Sequence, residues 1–264
     1  MPSITSPQNP RLRELLRLAA SSRERRKTGR CVLEGAHLVA VYLERIGVPE
    51  VLAVSEEALA RDEVHALAAR VPESRTLVVP GRLLAQESSM PADIGVLAVV
   101  ETPVAAARDD APFTLLIEDV QDPGNVGSML RTAAAAGVDQ VLLSRHCAFA
   151  WSPKVLRAAQ GAHFLTRVVE DVDLVAWTTG LRARGGQAVA TTVRGGDDLY
   201  RTPLREPLAV AIGNEGAGLG EALASCCDVR ATIPMAGGNE SLNAAAAAAV
   251  VLFEAVRQRR NRMR

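Results

Sequence analysis

The chain has 264 residues, 48% of them hydrophobic and 23% charged, which is the composition of a globular protein of one large or two modest domains. Thirty basic residues balance 30 acidic ones, so net charge announces no polyanionic partner, and 3% aromatics excludes a sheet studded with base-stacking rings. Cys31, Cys147, Cys226 and Cys227 form no CxxC pair and have no histidine at zinc spacing; no metal and no disulfide framework are expected. The start, MPSITSPQNP, lacks an apolar signal core and no apolar run has membrane-spanning length, so a cytoplasmic protein without membrane contact is expected.

Asn9-Pro10 opens a helix over residues 8–29, with Leu12, Leu15, Leu16 and Leu18 on one stripe, arginines opposite and Gly29 as the stop. Basic residues gather here, Arg23, Arg25, Arg26 and Lys27 among them, and Lys154 lies in a later loop-helix element; these are the candidates for phosphate contacts. Strands follow at 30–33, 51–55, 75–79 and 95–100, and helices at 36–44 and 62–70. Residues 1–103 thus read as a small α/β domain. The segment ETPVAAARDDAP, with two prolines and no periodicity, marks a linker at 104–112.

From 113 to 264, apolar strands alternate with helices, as in a parallel sheet covered on both faces. Strands read at 113–118, 140–144, 166–169, 188–192, 208–212 and 231–233, and helices at 126–136, 153–160, 174–184 and 242–260. Ligands of such sheets bind beyond the carboxyl ends of the strands. Three segments lie there. DVQDPGNVGSMLR has Asn125 placed to cap a helix, and Arg131 two turns inside an Ala-rich, buried-type helix. GNEGAGLG carries Glu215 among glycines, but a GxGxxG fingerprint begun at Gly216 fails at Glu221, and no Lys-Ser/Thr follows as in a P-loop. IPMAGGNESLN enters the last helix through Gly237-Gly238, with Ser241 or Asn243 as its cap and Glu240 favouring its N-terminus.

In order and spacing, DPGNVGSMLRTAAAAG, IGNEGAGL and IPMAGGNESLNAAAA resemble the SpoU (TrmH-like) branch of the SPOUT methyltransferases. EGAHLV onward is similar to the ribosomal-protein-like RNA-binding domain that often precedes it. The resemblance implies an α/β parallel-sheet domain with a deep trefoil knot, a homodimer, S-adenosyl-L-methionine as cofactor, and methylation of a ribose 2′-hydroxyl in RNA. 23S rRNA comes ahead of tRNA, because this N-terminal domain accompanies rRNA enzymes. It also implies cofactor contacts at Thr191, Gly213, Ile233, Met235 and Leu242, and a catalytic set of Asn125, Arg131, Glu215, Ser241 and Asn243. Ala244 and Ala245 stand where the family usually has a valine and a serine, so any role of that hydroxyl is absent. The competing readings are a Rossmann-type nucleotide enzyme, which the missing fingerprint disfavours, and a non-catalytic RNA-binding protein with a vestigial second domain.

Overall fold

The computed structural model describes residues 4, 6–85, 95–236 and 241–262. Its chain divides into two compact units, Met1–Pro103 with Trp151–Phe164, and Val104–Ala150 with Leu165–Arg264. The excursion of residues 151–164 into the first unit departs from the expected single break near 104–112.

The first unit begins with α1 (Pro10–Ala20) and α2 (Ser22–Thr28) in place of one long helix. Ser21 ends the first helix and caps the second, its hydroxyl accepting from Glu24 N. Gly29 ends α2 in the left-handed conformation, at φ 64°. Then come β1 (Arg30–Glu34), α3 (Ala36–Arg45), β2 (Val51–Ser55), α4 (Glu56–Leu59), α5 (Asp62–Ala69), β3 (Thr76–Val79), α6 (Gly81–Ala85) and β4 (Val96–Glu101). The sheet order is β1-β4-β2-β3, antiparallel except for β2 with β3. Leu12, Leu15 and Leu18 are fully buried against Val32, Ala53, Leu77 and Val99 of this sheet, which is why the leucine stripe folds as a helix at all.

Arg25, expected to face RNA, is buried, and its guanidinium donates to the carbonyls of Leu18 and Ala19 at the end of α1. Those carbonyls have no partner within the helix, and the arginine supplies one. Burial lowers its pKa. Arg23, Arg26 and Lys27 keep exposed positions on α2, as does Lys154 later in the chain. Arg25→Ala is expected to destabilise the protein by about 1–3 kcal/mol, the scale of stranding buried acceptors. Urea unfolding reads this, and a midpoint equal to wild type would contradict it.

The second unit contains β5 (Phe113–Ile117), α7 (Pro123–Ala135), β6 (Gln140–Leu143), then, after the excursion bearing α8 (Pro153–Ala159), β7 (Arg167–Val169), α9 (Leu174–Ala183), β8 (Gln187–Thr192), β9 (Asp197–Asp198), β10 (Leu208–Ile212), α10 (Glu221–Cys226), β11 (Val229–Thr232) and α11 (Ala244–Arg262). All seven strands are parallel, in the order β7-β6-β5-β10-β8-β11-β9. Leu116 and Ala211 face one side with Trp177, Leu181 and Leu223 of α9 and α10. On the strands' alternate positions, Leu115, Ile117 and Val210 are equally buried, while α11 packs on α7 and β10. Helices therefore cover both faces, as the alternation predicted.

The 104–112 stretch is held along this unit. Gln140, fully buried in β6, accepts from Arg108 N and donates to Arg108 O, both at 2.8 Å, while Ala105 and Ala107 pack on the core. Three of the C-terminal arginines are also committed inside the unit: Arg257 to Glu254, Arg259 to Glu206, and Arg262 to the Leu204 carbonyl.

Candidate active site

The β5–α7, β10–α10 and β11–α11 connections all leave the carboxyl edge of the parallel sheet. Asp122, not Asn125, caps α7: its Oδ1 accepts from Asn125 N at 2.8 Å, with Pro123 at the first helical position. Relieved of capping, the Asn125 side chain donates through Nδ2 to Glu215 Oε1 at 2.8 Å. Its Oδ1 accepts from Asn243 Nδ2 at 2.9 Å. Asn243 is the cap of α11, its Oδ1 accepting from Ala245 N and Ala246 N. Ser241, the other cap candidate, does not have that role.

The direction of every bond in this chain is determined. Backbone N–H groups can only donate, so Asn243 turns its oxygen to the helix and its amide NH2 to Asn125. Asn125 must then accept there and donate to Glu215, whose carboxylate only accepts. One asparagine thus joins all three loops. Ala245, at the position of the family's usual serine, contributes only its backbone N–H. Gly237, Gly238 and Glu240 lie outside the described residues.

The glycine loop is shaped by close backbone approach. A Cβ on Gly213 would lie 2.2 Å from the Gly218 carbonyl carbon and 2.3 Å from Leu219 N, so no other residue fits. Asn214 closes the turn: its Oδ1 accepts from Gly216 N and Ala217 N, and its backbone pairs with Gly218. Its Nδ2 donates to the Asp119 carbonyl at 2.8 Å, tying this loop to the end of β5. At the loop's far end Gly220 N donates to Glu118 Oε2 at 2.6 Å; burial raises the Glu118 pKa, and this bond opposes the rise. Sequence reasoning missed Glu118, Asp119 and Asn214. Asn214 lay between two residues already singled out, and its short amide is the kind that folds back on a turn.

A cavity of about 370 Å3 opens beside this junction. Thr191, Gly213, Leu219, Ile233, Met235 and Leu242 are among its lining residues, and Glu215 and Ser241 also border it. The five residues expected to hold a cofactor therefore converge on one space. The buried Thr191 Oγ1 has no hydrogen-bond partner among the described residues. Arg131 does not line the cavity. Against the expectation of a buried guanidinium, it is exposed on α7, and among the described residues it makes no hydrogen bond or ion pair. Its face of the helix, with Gly124, Ser128 and Ala135, is the one that α7 leaves uncovered in the single chain.

Among the described residues no group of three His, Cys, Asp or Glu side chains is placed to hold a metal ion, and no helix is long and apolar enough to cross a membrane.

A parallel α/β unit with a polar three-loop junction and a ligand-sized cavity at its carboxyl edge is the framework of a small-molecule-dependent enzyme. The chain belongs to the SpoU rRNA Methylase family, whose pattern matches residues 112–253. It is 34% identical to the 23S rRNA (guanosine(2553)-2′-O)-methyltransferase RlmP of Bacillus subtilis, over 96% of this chain and 98% of that protein. It is 30% identical to a 23S rRNA (uridine(2479)-2′-O)-methyltransferase of Streptomyces viridochromogenes, over 97% of this chain and 92% of that one. Among solved structures, the SpoU methyltransferase AviRb from Streptomyces viridochromogenes, in complex with AdoMet, superposes with a TM-score of 0.82 at 30% identity, covering 96% of this chain and 98% of that one.

Proposed function

We propose that this protein transfers a methyl group from S-adenosyl-L-methionine to a ribose 2′-hydroxyl of 23S rRNA. The observation that carries the reading is the Glu215–Asn125–Asn243 junction beside a cavity whose buried Thr191 hydroxyl has no partner among the described residues. An orphaned buried hydroxyl is costly unless a ligand completes it. The cavity is within the size range of small-molecule sites. Thr191, Gly213, Ile233, Met235 and Leu242 would hold the cofactor, which supplies an electrophilic methyl group when bound.

The chain's own residues do the rest. Asn125 and Asn243 fix the loops so that an acceptor oxygen meets the methyl in line. Glu215 orients Asn125, and Ser241 offers a hydroxyl at the rim. Arg131 projects from α7 as a planar donor. Arginine holds its proton, so it serves here as a bidentate clamp on the phosphate next to the acceptor ribose, not as the base. The 2′-hydroxyl proton would leave to phosphate or water as the new O–C bond forms and the methyl–sulfonium bond breaks, the donor departing as a neutral thioether. Exposed Arg23, Arg26, Lys27 and Lys154 supply phosphate contacts in the first unit, which we read as a ribosomal-protein-like RNA-binding domain.

The reading also includes a trefoil knot around the cofactor site, a cytoplasmic location and a homodimer. Supporting the knot is the membership of the SpoU family, over residues 112–253. Supporting the dimer, the uncovered face of α7 neighbours α11, where Phe253 is 49% exposed. Phe253→Glu would put a charge into that contact and is expected to yield monomer by sedimentation velocity; an unchanged dimer would refute this face as the interface.

Methyl-labelled S-adenosyl-L-methionine and 23S rRNA transcribed in vitro, which carries no modification, test the function. Label in a ribose methyl is expected. Label only in tRNA, or none with the cofactor bound, would overturn it.

A further inference from the structure

The cavity belongs to β8, β10 and β11, and the catalytic junction reaches from the β10 and β11 loops to Asn125 in the loop after β5. Along the sheet, the next neighbour on the side away from the cavity is β6. RNA presenting a ribose to the junction must lie over that side, because the other is taken by the cofactor. The connection leaving β6, Ser144–Ala148, is attached to the end of β5 and the loop that follows it through Ser144, Cys147 and Ala148. Ser144 N donates to Ile117 O, and Ser144 Oγ accepts from Asp119 N at 2.9 Å and donates to Asp119 Oδ1 at 2.6 Å. Cys147 Sγ donates to Ile117 O at 3.2 Å, and Ala148 N to Val120 O at 2.8 Å. Burial pushes the Cys147 thiol up, which keeps it a donor.

Asp119 itself has φ 54°, a conformation that costs a non-glycine residue on the order of 1–2 kcal/mol. It is held there by both Ser144 bonds and by Asn214 Nδ2 on its carbonyl. The strain is retained at a residue that registers the β6 connection, the Asn125 loop and the Glu215 loop against one another. What this rigid attachment presents to solvent is Arg145 and His146. Both are exposed, and among the described residues neither has a hydrogen bond or an ion pair.

We propose that the Ser144–Ala148 connection is a fourth wall of the active site, and that Arg145, with His146 beside it, binds the backbone phosphates of the RNA strand flanking the acceptor nucleotide. The inference rests on the methyltransferase reading above. Asp119 and Ser144 act as positioning residues. Arg145 sets RNA affinity and has no part in cofactor binding.

The test measures binding and methylation of unmodified 23S rRNA, transcribed in vitro, across a salt series, together with S-adenosyl-L-methionine affinity. Arg145→Ala should raise KM for RNA on the order of tenfold and lower the slope of log affinity against log salt by about one. Cofactor affinity should be unchanged, and Arg145→Lys should recover most of the loss. Ser144→Ala should act in the same direction by a smaller factor. A wild-type KM and salt slope in Arg145→Ala would overturn the inference while leaving the methyltransferase reading intact. Absence of methyl transfer by the wild-type protein would instead sink that reading.

Discussion

Arg131→Ala is expected to lower kcat for RNA methylation by at least two orders of magnitude, with S-adenosyl-L-methionine affinity unchanged. The size follows from losing a group that aligns and stabilises the reacting atoms, which contributes roughly 10²–10⁴-fold. The selectivity follows from geometry, since Arg131 lies outside the cavity lining and has no partner among the described residues whose loss could disturb the cavity. Within one chain an exposed side chain contributes little to stability, so the unfolding free energy of the monomer should change by no more than about 0.5 kcal/mol. Arg131→Lys separates charge from shape. A point charge without the two-pronged donor fork should restore only a small part of the rate. Near-wild-type turnover by Arg131→Ala would eliminate both the clamp and the base as roles for this residue.

Gly213→Ala is expected to produce the opposite pattern, with cofactor binding lost first. The added Cβ meets backbone atoms of Gly218 and Leu219 at 2.2–2.3 Å, where no flexible side chain can yield. The loop must open, and with it go the Asn214 bonds that close the turn and reach Asp119. The expected stability loss is about 1–3 kcal/mol, as for other overpacked sites, and cofactor affinity should fall at least 100-fold. Calorimetric titration separates the two effects when the variant is measured well below its melting temperature. Gly216→Ala is the control, since its Cβ would meet only Asn214 Oδ1, at 3.6 Å. If Gly213→Ala bound cofactor as wild type does, the backbone-contact account of this loop would be wrong.

Much of this site was legible in the sequence because the residues that build it are local signals. DPGN, GNEG and SLN each announce a turn or a cap after an apolar strand, and Thr191, Gly213, Ile233, Met235 and Leu242 do line one cavity. What the sequence hid is which residue satisfies which partner. Asp122 and Asn125 are both good capping residues, and three positions decide between them: the aspartate reaches the Asn125 N–H, freeing the asparagine for Glu215. Arg25 reads as one of a basic run, yet the break at Ser21 turns it under α1, where two carbonyls need a donor. Arg131 reads as buried because alanines surround it, although α7 leaves the stripe of Gly124, Ser128, Arg131 and Ala135 uncovered in the single chain. The single break expected near 104–112 failed for a related reason. Composition cannot show that Gln140, 32 residues further along the chain, would grip the Arg108 backbone from both sides, or that residues 151–164 would join the first unit.

The relatives are named for 2′-O-methylation of different nucleosides, a guanosine in one and a uridine in another, so family membership leaves the target nucleotide open. The most direct measurement is a transcriptome-wide map of ribose 2′-O-methylation in cells with and without the gene. The account predicts one 23S rRNA position that loses its methyl group on deletion, regains it with the wild-type gene, and does not regain it with Arg131→Ala. An unchanged 23S rRNA map on deletion would contradict it.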